Sequence, residues 1–150
     1  MTNSVKRCRW AHSDIDIYIQ YHDSEWGAPV YEDGKLYEML FLECFQAGLS
    51  WLTVLKKREH FRAAFDDFSP QKIAQYDEAK IALLLNNDTI IRSRAKIAAA
   101  VKNAAVFLNI QEEFGSFSAY LWGFTNNSVV QNTTDRFAVK TDLSDKVSAD

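Results

Sequence analysis

The stretch Leu42-Glu43-Cys44-Phe45-Gln46-Ala47-Gly48-Leu49-Ser50-Trp51 holds a helix end, a stop and a helix start. Upstream of it, Asp33-Gly34 opens a strongly apolar segment, and residues 35–47 read as one helix. Gly48 ends that helix, because glycine takes the left-handed C-terminal conformation without a Cβ penalty. Ser50 supplies a hydroxyl to cap the next helix. The face of that helix reads Trp51, Val54, Leu55, Phe61 and Phe65, at helical spacing.

Working outward, the chain reads as all-α. Asp14 is placed to cap a helix carrying Ile15, Tyr18, Ile19 and His22 on one face. Ser69-Pro70 is a cap followed by proline in the first turn. Asp77-Glu78 opens a short helix ending near Leu85, and Asn86-Asn87-Asp88-Thr89 is a turn. Residues 90–107 form the longest predicted helix. Gly115-Ser116 introduces an aromatic helix over 117–124, and 126–134 is a polar loop. Ser144-Asp145-Lys146-Val147 has the cap and early acid of a first helical turn.

At 150 residues the chain is expected to form a single helical domain, 1–150, with a real core. Hydrophobic content of 47% with 25% charged residues is that of a globular protein. Glu38, Glu43 and Gln46 interrupt the longest apolar run, so no transmembrane helix fits. The start, Met1-Thr2-Asn3-Ser4-Val5-Lys6-Arg7, lacks the apolar core of a signal peptide. Two cysteines, Cys8 and Cys44, suit a reducing cytoplasm rather than a disulfide framework. The net charge of −3 weighs mildly against a nucleic-acid partner, although the local distribution of charge decides binding.

The chemistry concentrates in the first third. Arg7-Cys8-Arg9-Trp10 and Tyr21-His22-Asp23-Ser24-Glu25-Trp26-Gly27 join the opening stretch to bring together Trp10, Trp26, Trp51 and Tyr21 with Glu43. Aromatic plates around a single acid suit a flat, cationic ring. Taken one at a time, each aromatic is more commonly a core residue and a lone helical glutamate is more commonly solvated. Cys8 and His22 are zinc-ligand types, but spacing alone favours a buried cysteine and a core histidine. The basic runs Lys56-Lys57-Arg58 and Arg92, Arg94, Lys96 are more commonly solvated helix faces.

Cys8-Arg9-Trp10, the 21–27 segment, Leu42-Glu43, 46–51, Val54-Leu55-Lys56-Lys57-Arg58-Glu59 and Ile90-Ile91-Arg92 occur together and in this order. In this the chain resembles the 3-methyladenine DNA glycosylase I family. The resemblance implies the two-lobed fold of the helix-hairpin-helix glycosylases, with a base pocket between the lobes. It implies hydrolysis of the N-glycosidic bond of 3-methyladenine in alkylated double-stranded DNA, by a monomer that flips the base out. Glu43 would then hydrogen-bond the base edge, and Tyr21, Trp26 and Trp51 would stack on the ring. Trp10 would line the pocket from the side or wedge the N-terminal segment. Leu49, beside Gly48, is the candidate wedge for the emptied stack, with an inward-packed loop leucine as the equal alternative. Lys56, Lys57, Arg92 and Arg94 are the candidate phosphate contacts.

The resemblance also implies a structural zinc, held by Cys8 and His22 together with a histidine and a cysteine from a C-terminal segment. No cysteine or histidine follows His60, so half of such a site is expected, from a chain incomplete at its C-terminal end. In the hairpin, Thr89 stands where the family builds around glycine, which is expected to alter the grip on the DNA backbone. Glu25 and Glu38 are expected at the surface or as caps, Cys44 as packing. No lysine is expected beside the pocket, hence no Schiff base. Two rival readings are a zinc-stabilised helical nucleic-acid-binding module without catalysis, for which Glu43 is dispensable, and a single-strand binder with no preference for alkylated duplex.

Overall fold

A computed structural model describes residues 6–11, 15–131 and 139–150. Eight α-helices and two short 3-10 turns account for its regular structure, with no strand among the described residues. The helices are α1 (Asp16–Ser24), α2 (Asp33–Gln46), α3 (Trp51–Ala64), α4 (Pro70–Ile73), α5 (Glu78–Asn86), α6 (Arg94–Phe114), α7 (Phe117–Gly123) and α8 (Asp142–Ala149). The 3-10 turns are Arg9–Ala11 and Asp66–Phe68. Among the described residues no helix is long and apolar enough to cross a membrane.

The fold turns on α2, which packs against α3, α6 and α7. Its buried side carries Tyr37, Phe41, Leu42 and Phe45. Phe41 and Phe45 stack at 4.7 Å and meet Phe61 of α3 and Phe65, just past its end, at tilted and edge-on angles. Such offset and edge-to-face pairs add to the area they bury. Ile97, Ala104 and Phe107 of α6 close the other side. Both ends of α2 are held by distant side chains. At its start, the Asp33 carboxylate accepts from Gln111 Nε2 (2.6 Å) and from the backbone N–H groups of Phe117 and Ser118 (2.8 Å each). The opening residue of α2 thus also satisfies orphan amides in the first turn of α7. At its end, Lys96 Nζ donates to the carbonyls of Phe45 (2.7 Å) and Ala47 (2.6 Å). A cationic group there complements the C-terminal dipole.

Caps follow the sequence reading in four places. The side chains of Ser50, Ser69, Asp77 and Ser116 accept from the amide three residues on. Gly48 lies at φ +79° just beyond the C-cap of α2, and Gly115 at φ +82° ends α6. Three boundaries differ. The longest helix begins at Arg94, because Ser93 caps it and Ile90 is drawn into the core in a non-helical segment. It continues past Phe107 to Phe114, since no breaker precedes Gly115. The last helix is capped by Thr141 rather than Ser144, which instead completes a capping box as its third residue. The proposed Asp14 cap lies outside the described residues, as does the 132–134 part of the polar loop, and α1 starts after Ile15 without a side-chain cap. The α5–α6 hairpin needs no glycine. Thr89 donates from N–H (3.0 Å) and Oγ1 (2.7 Å) to Asn87 Oδ1, with no left-handed residue between Asn87 and Ser93.

Candidate active site

A cavity of about 290 Å³ is lined by Trp10, Tyr18, Tyr21, Trp26, Glu43, Gln46 and Trp51. That is the small end of ligand pockets, suited to one base. The four aromatics of the sequence reading therefore converge with Glu43, the one carboxylate in the lining. They arrive from three places: Trp10 from the first 3-10 turn, Tyr21 from α1 with Trp26 just past its end, and Trp51 from the first turn of α3. Trp10 meets Trp26 at 5.5 Å and Tyr18 at 5.5 Å, both edge-on, while Tyr21 tilts against Trp51 at 5.5 Å. Trp10 is thus a side wall of the pocket and also a wedge between the N-terminal turn and α1.

The pocket's electrostatics follow from its walls. Glu43 makes no ion pair among the described residues, and partial burial alone pushes its carboxyl pKa up. It remains exposed at the pocket mouth, so the empty site leaves it hydrated. Tyr21 is buried, and burial together with the charges of Glu43 and Glu25 raises its hydroxyl pKa. It stays a neutral donor and acceptor at physiological pH. The Trp51 indole N–H is buried with no partner. Tyr18 and Gln46 were not singled out as pocket residues. Helical spacing carried the signal: Tyr18 is three residues before Tyr21 and Gln46 three after Glu43, so each pair shares a face. Tyr18 Oη accepts from Leu52 N–H at 3.0 Å, and Gln46 Nε2 donates to Leu49 O at 3.4 Å.

Leu49 sits between Gly48 and Ser50 and is 39% exposed, so it is not packed inward. Of the basic candidates, Lys56 and Arg92 are exposed. Lys57 Nζ donates to Thr89 O (2.7 Å), tying α3 to the hairpin, and Arg94 pairs with Glu78 (3.2 Å) at the surface. Several expectations are corrected. Arg58 is not part of an exposed basic patch, and Glu38 is not a surface group, whereas Glu25 is, as expected, a capping residue, the partly exposed C-cap of α1. Arg58 bridges both acids, and Glu38 is 5% exposed where α3 packs on α2 and brings Arg58 and Arg62 onto it. Lys96 does lie beside the pocket helix, contrary to expectation, but its Nζ is engaged by the carbonyls of Phe45 and Ala47. Cys44 is exposed as a residue, yet it lines a small cleft with Tyr37, Phe41 and Ala100, Asn103 Nδ2 lies 3.7 Å from its sulfur, and burial pushes its thiol pKa up.

Cys8 and His22 come together, but as a hydrogen-bonded pair. The Cys8 N–H donates to His22 Nε2 (3.2 Å), and His22 Nδ1 faces Asp23 Oδ1 (2.9 Å). Asp23 in turn holds Arg7 at 2.6 Å. A zinc ligand needs a free ring nitrogen and three companions. Both ring nitrogens are engaged, and no group of three His, Cys, Asp or Glu gathers among the described residues. This donor set does not fit a tetrahedral zinc.

A family model described as methyladenine glycosylase matches residues 10–150. The DNA-3-methyladenine glycosylase of Haemophilus influenzae is 46% identical over 126 residues, 84% of this chain and 68% of that protein. A crystal structure of 3-methyladenine DNA glycosylase I superposes with a TM-score of 0.87 at 41% identity, covering 96% of this chain and 80% of that one. A structure on 3-methyladenine recognition by the Staphylococcus aureus enzyme gives a TM-score of 0.83 at 38% identity, covering 91% and 74%. Sequence and fold thus agree along nearly the whole of the described chain, and it belongs to the methyladenine glycosylase family.

Proposed function

We propose that this chain excises 3-methyladenine from alkylated double-stranded DNA, acting as a monomer on a base flipped out of the duplex. The observation that carries the reading is the pocket itself: one unpaired carboxylate, Glu43, framed by Trp10, Tyr21, Trp26 and Trp51 in a base-sized cavity. The relatives' names point to the same substrate.

The chemistry needs little from the protein beyond recognition. Methylation at N3 makes the adenine a cation. When the bond from the sugar C1′ to the base breaks, its electron pair passes to the purine, which leaves neutral. A water oxygen then bonds to C1′ and releases its proton to solvent. Flipping costs a few kcal/mol, least for damaged bases. Stacking a desolvated cation on an aromatic face returns about 2 kcal/mol. A carboxylate at ~4 Å returns about 4 kcal/mol at an effective dielectric constant near 20. Glu43 therefore contributes more to selecting the cationic base than any one ring. Leu49 is the proposed wedge, with Gly48 letting the chain turn beside it, and Lys56, Lys57, Arg92 and Arg94 the proposed phosphate contacts. Cys8 and His22, hydrogen-bonded to each other, contribute no step of the reaction.

The test is base release from methylated duplex, followed chromatographically, with borohydride present in parallel. Release of 3-methyladenine without a trapped covalent protein–DNA adduct is expected, since Lys96, beside the C-terminal end of the pocket helix, is committed to backbone carbonyls. Absence of release refutes the substrate, and a trapped adduct refutes the monofunctional mechanism.

A further inference from the structure

Next to the base pocket, and sharing Tyr21 with it, lies a second cavity of about 240 Å³ that includes Glu25, Leu55 and Arg58 in its lining. We propose that Arg58 is a positioning residue for base recognition, a clasp that sets α1 against α2 and α3 so that Tyr21, Glu43 and Trp51 meet at one pocket. The inference rests on the glycosylase reading above and deepens it.

The geometry is specific. Arg58 Nε donates to Glu38 Oε1 (2.6 Å) on α2, while Nη1 and Nη2 donate to the two Glu25 oxygens (2.8 and 3.0 Å) just past the end of α1. Arg58 itself is on α3, two turns after Trp51. One guanidinium therefore joins the three elements that carry Tyr21, Glu43 and Trp51. From Glu25 the link to Tyr21 is short: the N–H groups of Glu25 and Trp26 both donate to the Tyr21 carbonyl at 2.9 Å. Holding Glu25 thus holds the last turn of α1 and the start of the Trp26 segment. The helix has few other ties. It packs on α3 and the first 3-10 turn, and its other polar link to α3 is Tyr18 to Leu52 N–H. Lys35 reinforces the clasp at 3.1 Å from Glu25, and Arg62 at 2.7 Å from Glu38. Burial opposes an ionised Glu38, but the hydrogen bond and charge of Arg58 outweigh it and hold its carboxyl below the usual range. Lysine cannot replace this arginine, because a single ammonium cannot offer a planar fork to two carboxylates on different helices.

The test compares Arg58→Lys and Glu25→Gln with Asp33→Asn, which loosens the α2–α7 anchor away from the pocket. Affinity for free 3-methyladenine by calorimetry and single-turnover base release are measured well below each thermal midpoint. Weaker base binding by about tenfold or more is expected for Arg58→Lys and Glu25→Gln, as for small misplacements of binding groups. Asp33→Asn should lower the midpoint yet bind the base within about twofold of wild type, which separates positioning from general destabilisation. If Arg58→Lys does not fold, Glu25→Gln decides, since it keeps the side-chain shape. Wild-type affinity in the clasp variants, or an equal loss in Asp33→Asn, overturns the positioning role. A wild type that neither binds nor releases the base overturns the glycosylase reading and this one with it.

Discussion

Glu43→Gln isolates the one charge in the pocket. The substitution keeps the length and shape of the side chain and one acceptor, and removes the negative charge. In the empty site Glu43 is exposed at the mouth, so the interaction to be lost depends on how far a bound base dries the pocket. At ~4 Å the attraction between unit charges is about 1 kcal/mol in water and about 4 kcal/mol at a dielectric constant near 20. The four aromatic walls exclude water once the ring is seated, which moves the value toward the upper limit. Since 1.4 kcal/mol is tenfold in affinity, the loss should exceed about tenfold. Folding should respond differently. Partial burial raises the Glu43 pKa, so the folded chain holds that proton more tightly than the unfolded chain does. Its favourable contribution is present below the unfolded pKa and is lost as pH rises through the folded one. At neutral pH the ionised carboxylate is therefore a mild burden, and Glu43→Gln should leave the thermal midpoint unchanged or slightly higher. Calorimetric titration with free 3-methyladenine, beside a thermal melt of each protein, tests both halves. Equal affinities for wild type and variant would mean that Glu43 does not read the base.

Trp51→Phe should weaken base binding less than Glu43→Gln, by about fivefold at most, because a smaller ring still stacks and the difference in cation–π strength is under about 1 kcal/mol; a larger loss than for Glu43→Gln would reverse the ranking of charge over stacking. Purified protein should carry zinc well below one equivalent by elemental analysis, since Cys8 and His22 supply two of four ligands and the His22 ring nitrogens are engaged; stoichiometric zinc would contradict this. Acid should destabilise the clasp. Arg58 and Lys35 hold the Glu25 carboxyl below its usual range, and the Glu38 carboxyl is lowered too. Carboxylates shifted this way stabilise the fold above their unfolded pKa of about 4.3 and lose that contribution as pH falls through the folded one. The thermal midpoint should fall below roughly pH 5, and Glu38→Gln should give a lower midpoint at neutral pH with a shallower acid limb; an unchanged acid limb would remove Glu38 from the network.

Features written within a few residues of one another were legible in the sequence. Ser50, Ser69, Asp77 and Ser116 cap helices because a hydroxyl or carboxylate needs only the amide three positions on. Gly48 stops a helix through its own φ. The pocket residues Glu43, Tyr21, Trp10, Trp26 and Trp51 were found because their motifs are specific and their aromatic surplus is local. What the sequence could not show were partners chosen by packing. Arg58 looked like one member of a basic run, but its acceptor Glu25 is 33 residues away. Lys96 looked like one member of another basic run, but it caps a helix that ends some fifty residues earlier, on Phe45 O. Glu38 read as a surface or capping residue, but α3 packs on α2 and buries it against Arg58 and Arg62. A charged side chain reads the same in a sequence whether water or a counter-charge satisfies it. The choice is made by desolvation, when distant helices close over the group and leave an ion partner as the favourable substitute for water.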